Sequence, residues 1–319
     1  MKHNTPSIGV PLVYSHNYSI PWNPKHRFPM DKYRLLYELL QQRSIANNAN
    51  THISSPCPTE WLKLAHDSDY VDAFIGGHIS QDALKLLGLP WSQALVTRTL
   101  TAVGGTLQAC QLALKNGLAC HLAGGTHHAF SDHGQGFCVF NDLAVAAMTL
   151  LKQRHVKRIL ILDCDVHQGD GSAHILRHES RCFTCSIHAQ NNYPFDKQCS
   201  DLDVALANGT GDAEYLQMLT QTLSQLEQHK PFDLLIYDAG SDVHLDDRLG
   251  LLALSDDGIR KRDRHVIEWA QRLNLPTACV IGGGYDHDHQ QLAQRHALLF
   301  ETANAAFQKR YLSNSDTNE

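Results

Sequence analysis

The run Asp163-Cys164-Asp165-Val166-His167-Gln168-Gly169-Asp170-Gly171 follows directly on the apolar stretch Ile159-Leu160-Ile161-Leu162. Three acids and a histidine crowd the point where a buried strand should give way to a loop. Burying so many ionisable groups without a counter-ion is costly, so they are either solvated or gathered around a cation. Residues two apart in an extended segment share a face, which aims Asp163, Asp165 and His167 the same way. Ligands of open α/β sheets bind beyond the carboxyl ends of the strands. The segment thus suggests both a location and a chemistry.

Further apolar runs predict strands at 10–14, 118–122, 158–162, 181–187, 233–237 and 277–281. Between them, 31–42 carries Tyr33, Leu35, Leu36, Leu39 and Leu40 at helical spacing. Asn141 is placed to cap a helix over 142–154, and Ser255 one that carries Ile259, Val266, Ile267, Trp269, Ala270 and Leu273. Strands alternating with helices imply a parallel sheet with helices on both faces. With 319 residues, 43% of them hydrophobic, and no repeat or linker, one α/β domain over 1–312 is expected, followed by a frayed, disordered tail at 313–319.

Charge and composition narrow the function classes. Twenty-seven basic residues stand against 33 acidic ones, a net −6, with no basic patch on the scale that nucleic acid requires. No apolar run approaches 18 residues and the N-terminus lacks a signal-like segment, so a cytoplasmic, non-membrane protein is expected. In that setting nine cysteines read as reduced and mostly buried thiols. The spacing of three between Cys182 and Cys185 sends them to opposite faces of a strand, against a paired metal or redox motif. Of the 21 histidines, only those grouped with carboxylates or glycines bear on chemistry.

A carboxylate with an imidazole, as in Asp165 and His167, is a partial divalent site, whereas catalytic zinc wants three protein ligands and an open position. Tyr237-Asp238-Ala239-Gly240-Ser241-Asp242 repeats the pattern of strand, glycine and acid, and offers Asp242 as the third; Asp246 and Asp247 lie further into the loop. Such a mixed set suits Zn²⁺, Fe²⁺ or Mn²⁺, against the plainer reading of loop acids capping a helix. Gly124-Gly125-Thr126-His127-His128 ends another strand. Adjacent histidines diverge, so they do not share one metal. They can instead serve as general base and electrostatic partner if carboxylates orient them, and Asp163 and Asp170 are left over for this. Gly282-Gly283-Gly284-Tyr285 ends a fourth strand, bringing backbone close to something and adding a neutral phenol donor for an oxyanion.

With Gly136-Phe137-Cys138 and Asn141-Asp142 added, these segments resemble the zinc-dependent histone deacetylase family. Asp246-Asp247-Arg248-Leu249-Gly250, Gly258-Ile259 and Lys261-Arg262-Asp263 resemble its class IV branch and bacterial relatives. The resemblance implies a single-domain arginase/deacetylase-type fold. It also implies a zinc amidohydrolase acting on acylated lysine in peptides or proteins, or on small N-acyl amines. Asp165, His167 and Asp242 would hold Zn²⁺, with Fe²⁺ as the alternative. His128, oriented by Asp170, would be the general base, His127 with Asp163 its electrostatic support, and Tyr285 the oxyanion donor.

The same resemblance assigns substrate contacts to Gly136, Phe137, Asn192, Tyr193, Gly283 and Gly284, and a structural K⁺ to Asp163, Asp165, His167, Ser186 and Ile187. Arg34 matches an arginine at the inner end of the acyl-lysine tunnel. The tunnel's second aromatic position falls on Asn192, with Tyr193 beside it, and a rim aspartate has no counterpart around Leu89-Pro90-Trp91-Ser92. The first departure leaves room for acyl groups longer than acetyl as well as acetyl itself, and the second implies either loose peptide recognition or a substrate other than a histone. Two rivals stand beside this reading. A binuclear manganese ureohydrolase on the same fold would need an acid where Gly169 stands, and a silent acyl-lysine binder would not need His127, His128 and Tyr285. Oligomeric state, native metal and substrate identity stay open at this stage.

Overall fold

The short apolar runs form strands β1 (Leu12–Tyr14), β2 (Thr51–Ile53), β3 (Leu118–His121), β4 (Ile159–Asp163), β5 (Cys182–Ala189), β6 (Leu202–Leu206), β7 (Leu234–Asp238) and β8 (Thr277–Val280). They make one sheet in the order β2-β1-β3-β8-β7-β4-β5-β6, and every neighbouring pair is parallel. The computed structural model describes residues 9–229 and 231–315, with side chains excepted beyond 310. Helices flank the sheet: α1 (Lys32–Gln42), α2 (Thr59–Leu62), α3 (Ser68–Gly76), α4 (Gln81–Leu87), α5 (Gln93–Asn116), α6 (Asp142–Lys152), α7 (Asp170–Leu176), α8 (Asp212–Leu226), α9 (Asp256–Arg272) and α10 (His289–Ser315). Of the expected tail, 313–315 close α10, and 316–319 lie outside the described residues. Among the described residues, no helix is long and apolar enough to cross a membrane.

A parallel sheet covered on both faces needs strands that are apolar throughout, which is how β4 and β7 are built. Ile159, Leu160, Ile161 and Leu162 are buried along the whole of β4, as are Leu234, Leu235, Ile236 and Tyr237 in β7. The register brings Asp163 level with Asp238 on one side and Ser186 on the other, while Asp238 pairs with Val280. The carboxyl ends of the central strands therefore meet at one edge, where their loops form the site.

Several elements went unread in the sequence, among them both edge strands and the long helix α5. The edge strands β2 and β6 are short and partly exposed, and take their pairing from β1 and β5 rather than from an apolar run. Helix α5 contains Gly104-Gly105, a pair that usually weakens a helix interior. Here a side chain at 105 would collide with His121 and Tyr18, and one at 104 with the backbone at Ser55, so the glycines permit close packing. Eight of the nine cysteines are buried, only Cys199 is exposed, and all are free.

Both expected caps form. Asn141 Oδ1 accepts from Ala144 N at 2.9 Å, and Ser255 Oγ accepts from Gly258 N at 3.1 Å. The Ser255 hydroxyl also donates to Asp212 Oδ2 at 2.5 Å, tying α9 to the start of α8. Ser255→Ala should therefore lower stability by about 0.5–2 kcal/mol in urea unfolding, the range for lost N-caps. An unchanged unfolding midpoint would contradict this cap assignment.

Candidate active site

The end of β4 turns on its own carboxylates. Asp165 N donates to Asp163 Oδ1 at 3.0 Å, and His167 N to Asp165 Oδ1 at 2.9 Å, so each acid braces the residue two ahead. The loop after β7 supplies Asp242, whose Oδ1 accepts from Val166 N at 2.9 Å. As a result His167 Nδ1 lies 3.0 Å from Asp165 Oδ1 and 3.2 Å from Asp242 Oδ2. One ligand atom from each of these buried residues falls within 4.8 Å of the others. Asp242 Oδ2 accepts no well-formed hydrogen bond. Burial, and then Asp165, push the Asp242 carboxyl above its usual range. Burial opposes charge on His167, yet the carboxylates of Asp165 and Asp242 beside it raise it to about 10. Two buried carboxylates facing one imidazole thus demand positive charge, and their donor atoms fit a divalent cation.

The two histidines of the turn after β3 are held apart by separate acids. His127 Nδ1 donates to Asp163 Oδ2 at 2.7 Å, and His128 Nδ1 to Asp170 Oδ1 at 2.6 Å. Gln135 Nε2 donates to the other oxygen of Asp170, also at 2.6 Å. The ring centroids are 4.1 Å apart, yet the two environments differ. For His127, burial is outweighed by Asp163 and Asp165, which hold it well above the usual histidine range. Burial and then the charge on His127 lower His128 to about 4. The surroundings thus favour charge on His127 and a neutral His128, whose Nε2 is not engaged by Asp170. Asn141, buried at the start of α6, fixes the turn by donating to His127 O at 3.2 Å and Ala129 O at 3.3 Å.

Glycines close the remaining side. Gly283 N donates to Asp165 Oδ2 at 2.5 Å, and a side chain at 283 would fall on Asp242 Oδ2. Tyr285 follows, with its backbone N–H donating to Asp247 Oδ2 at 2.7 Å. The other oxygen of Asp247 accepts from Leu249 N and Gly250 N at 2.8 and 3.0 Å. Asp247, weighed as a ligand from the sequence, instead ties its own turn to the tyrosine. The rings of Tyr285 and Phe137 are 6.0 Å apart on the wall of a cavity of about 30 Å³ that His127, His128, Gly136 and Asp165 also line.

Two expectations need correction. Asn192 turns away from the site: its Nδ2 donates to Leu249 O at 3.0 Å and its Oδ1 accepts from Tyr193 N at 2.9 Å. Tyr193 brings the aromatic ring instead, edge-on to His128 at 4.9 Å between centroids and packed against Gly136. Arg34 is not at the inner end of the cavity; it is exposed and paired with Glu38 at 2.9 Å. The cations that line the cavity are Lys32 and Arg98, both buried. Lys32 Nζ donates to Gly282 O at 3.2 Å and lies 5.9 Å from the Tyr285 ring. Its spacing of four from Leu36 and eight from Leu40 puts it on the buried stripe of α1, a signal the sequence did carry.

Asp238 was also missed. It closes β7, is fully buried, and neither carboxylate oxygen has a hydrogen-bond partner. Burial, then Asp163, raise it well above the usual range. With His127 and Asp163 it forms a second convergent group within 4.8 Å. Ser186, level with Asp163 on β5, places its hydroxyl 3.0 Å from His188 Nδ1, and Ile187 beside it is buried.

The histone deacetylase domain model matches residues 26–301. An uncharacterised protein of Picosynechococcus is 47% identical over 93% of this chain and 99% of its own length. The acetoin utilization protein AcuC of Staphylococcus aureus is 28% identical over 82% of this chain and 73% of its own. Among solved structures, a histone deacetylase homologue from Aquifex aeolicus superposes with a TM-score of 0.79 at 25% identity, covering 93% of this chain and 84% of that one. A complex of such a homologue with SAHA gives 0.77 over the same share of each chain.

Since any Cβ at 283 would occupy the space beside Asp242 Oδ2, Gly283→Ala should fold but bind a divalent cation weakly. Zinc affinity measured by chelator competition checks this, and wild-type affinity in the variant would contradict it.

Proposed function

Because this chain belongs to the histone deacetylase family, and so to the hydrolases of amide bonds, we propose that it removes acyl groups from lysine side chains or related N-acyl amines. The cation would be zinc, held by Asp165, His167 and Asp242. One observation carries the reading: a three-donor group, two His–Asp pairs and a tyrosine converge on a single cavity. The orphaned Asp242 Oδ2 supports a cation at that point. Bound there, zinc supplies a Lewis acid that polarises the amide carbonyl and acidifies water.

The side chains supply the rest. His128, neutral and steadied by Asp170 and Gln135, takes a proton at Nε2 from the attacking water and later passes it to the leaving amine nitrogen. Charged His127 offsets the negative charge that builds up beside it. The Tyr285 hydroxyl donates to the developing oxyanion, and its acidity is suppressed by burial, with Asp242 and Asp165 adding to the effect, so it remains a neutral donor. Gly136, Phe137, Tyr193, Gly283 and Gly284 enclose the acyl-lysine stem. Asp163, Asp165, His167, Ser186 and Ile187 would hold a structural K⁺, a reading supported by the level register of Asp163 and Ser186.

Tyr285→Phe should keep one zinc per chain and lose roughly 10²–10³ in turnover, the usual cost of a missing oxyanion donor. Near-full turnover would remove Tyr285 from this role. A panel of acetyl- and longer acyl-lysine peptides with acetylpolyamines, run with metal quantification, tests the substrate class. Activity on at least one N-acyl amine with one zinc per chain is expected. Inactivity on all of them, or two manganese ions per chain, would overturn the reading.

A further inference from the structure

We infer that Arg262 is a positioning residue that sets the metal affinity from behind the site, an inference that rests on the zinc reading above. Arg262 lies in α9, is 0% exposed, and contacts neither the cavity nor any proposed ligand side chain. Its Nε donates to Asp263 Oδ1 at 2.9 Å. Its Nη1 donates to two backbone carbonyls, Cys164 O at 3.2 Å and Gly240 O at 2.7 Å. These carbonyls belong to different loops, one immediately before Asp165 and the other two residues before Asp242.

Each carbonyl sits in a peptide plane whose opposite side is also fixed. The plane shared by Cys164 and Asp165 has its N–H on Asp163 Oδ1, and the plane shared by Gly240 and Ser241 has its N–H on Gly283 O at 2.8 Å. With Arg262 on the carbonyl side, neither plane can rotate without breaking a buried hydrogen bond. The Asp165 and Asp242 carboxylates repel one another when no cation is bound, and a rotation of either plane would let them separate. Arg262 resists that separation. Asp263 anchors the guanidinium and is itself held by the Tyr237 hydroxyl at 2.7 Å. A lysine offers a point charge without the planar fork, so it cannot span the acid and both carbonyls.

The test compares zinc affinity, by chelator competition on the full chain, with the thermal stability of the metal-free protein. Arg262→Lys keeps the buried charge but loses the fork. Arg262→Met combined with Asp263→Asn removes both charges together, so folding does not strand a lone buried ion. Both should bind zinc roughly 10- to 100-fold more weakly, the range for residues that orient metal ligands. Tyr237→Phe loosens the same ion pair without touching either carbonyl; it should lower stability and leave zinc affinity at the wild-type value. Wild-type affinity in both Arg262 variants, or an equal loss in Tyr237→Phe, would overturn the inference while leaving the zinc reading intact. A wild-type chain that binds no zinc would overturn the zinc reading itself, and this inference with it.

Discussion

Five carboxylates, those of Asp163, Asp165, Asp170, Asp238 and Asp242, are buried together at the carboxyl edge of one parallel sheet. Burial of like charges at this density is unfavourable unless each is matched. Asp163 and Asp170 are matched by His127 and His128, Asp165 and Asp242 share His167 with His127 3.8 Å from Asp165, and Asp238 has no hydrogen-bond partner. That shortfall makes a cation the natural completion of the Asp165, His167 and Asp242 group. In the second convergent cluster His127 and Asp163 already pair at 2.7 Å, which leaves Asp238 as its unpartnered member.

The fold creates the shortfall and then contains it. Level register across β4, β5, β7 and β8 brings acids from separate strands to one edge. Glycines at 282 and 283 let the backbone approach where side chains would displace Asp238 and Asp242. Hydrogen bonds behind the site then hold its backbone in place: Asn141 for the histidine turn, Asp247 for the tyrosine loop, Arg262 for the loops that bear Asp165 and Asp242. The chemistry at the front depends on these braces, since a base or an oxyanion donor displaced by even an ångström loses much of its effect.

Much of this was legible in the sequence because buried parallel strands read as unbroken apolar runs, and the acids and glycines at their ends break those runs abruptly. The six strands expected from such runs are all present, and the residues proposed as ligands meet in space. Features that depend on orientation were harder to read. Which of Asn192 and Tyr193 faces the site depends on one residue of loop register, and Leu249 O decides it by capturing the Asn192 amide. Whether Arg34 or Lys32 lines the cavity depends on which face of α1 is buried. Asp238 looked like an ordinary strand terminus until its pairing with Asp163 placed it beneath the histidines.

The central claim is that one divalent cation completes the Asp165, His167 and Asp242 group. Anomalous diffraction at the zinc edge, from crystals of zinc-loaded protein, tests it most directly. One strong peak within bonding distance of those three side chains is the expected result. A peak among His127, Asp163 and Asp238 instead, or none in well-folded crystals, would contradict it.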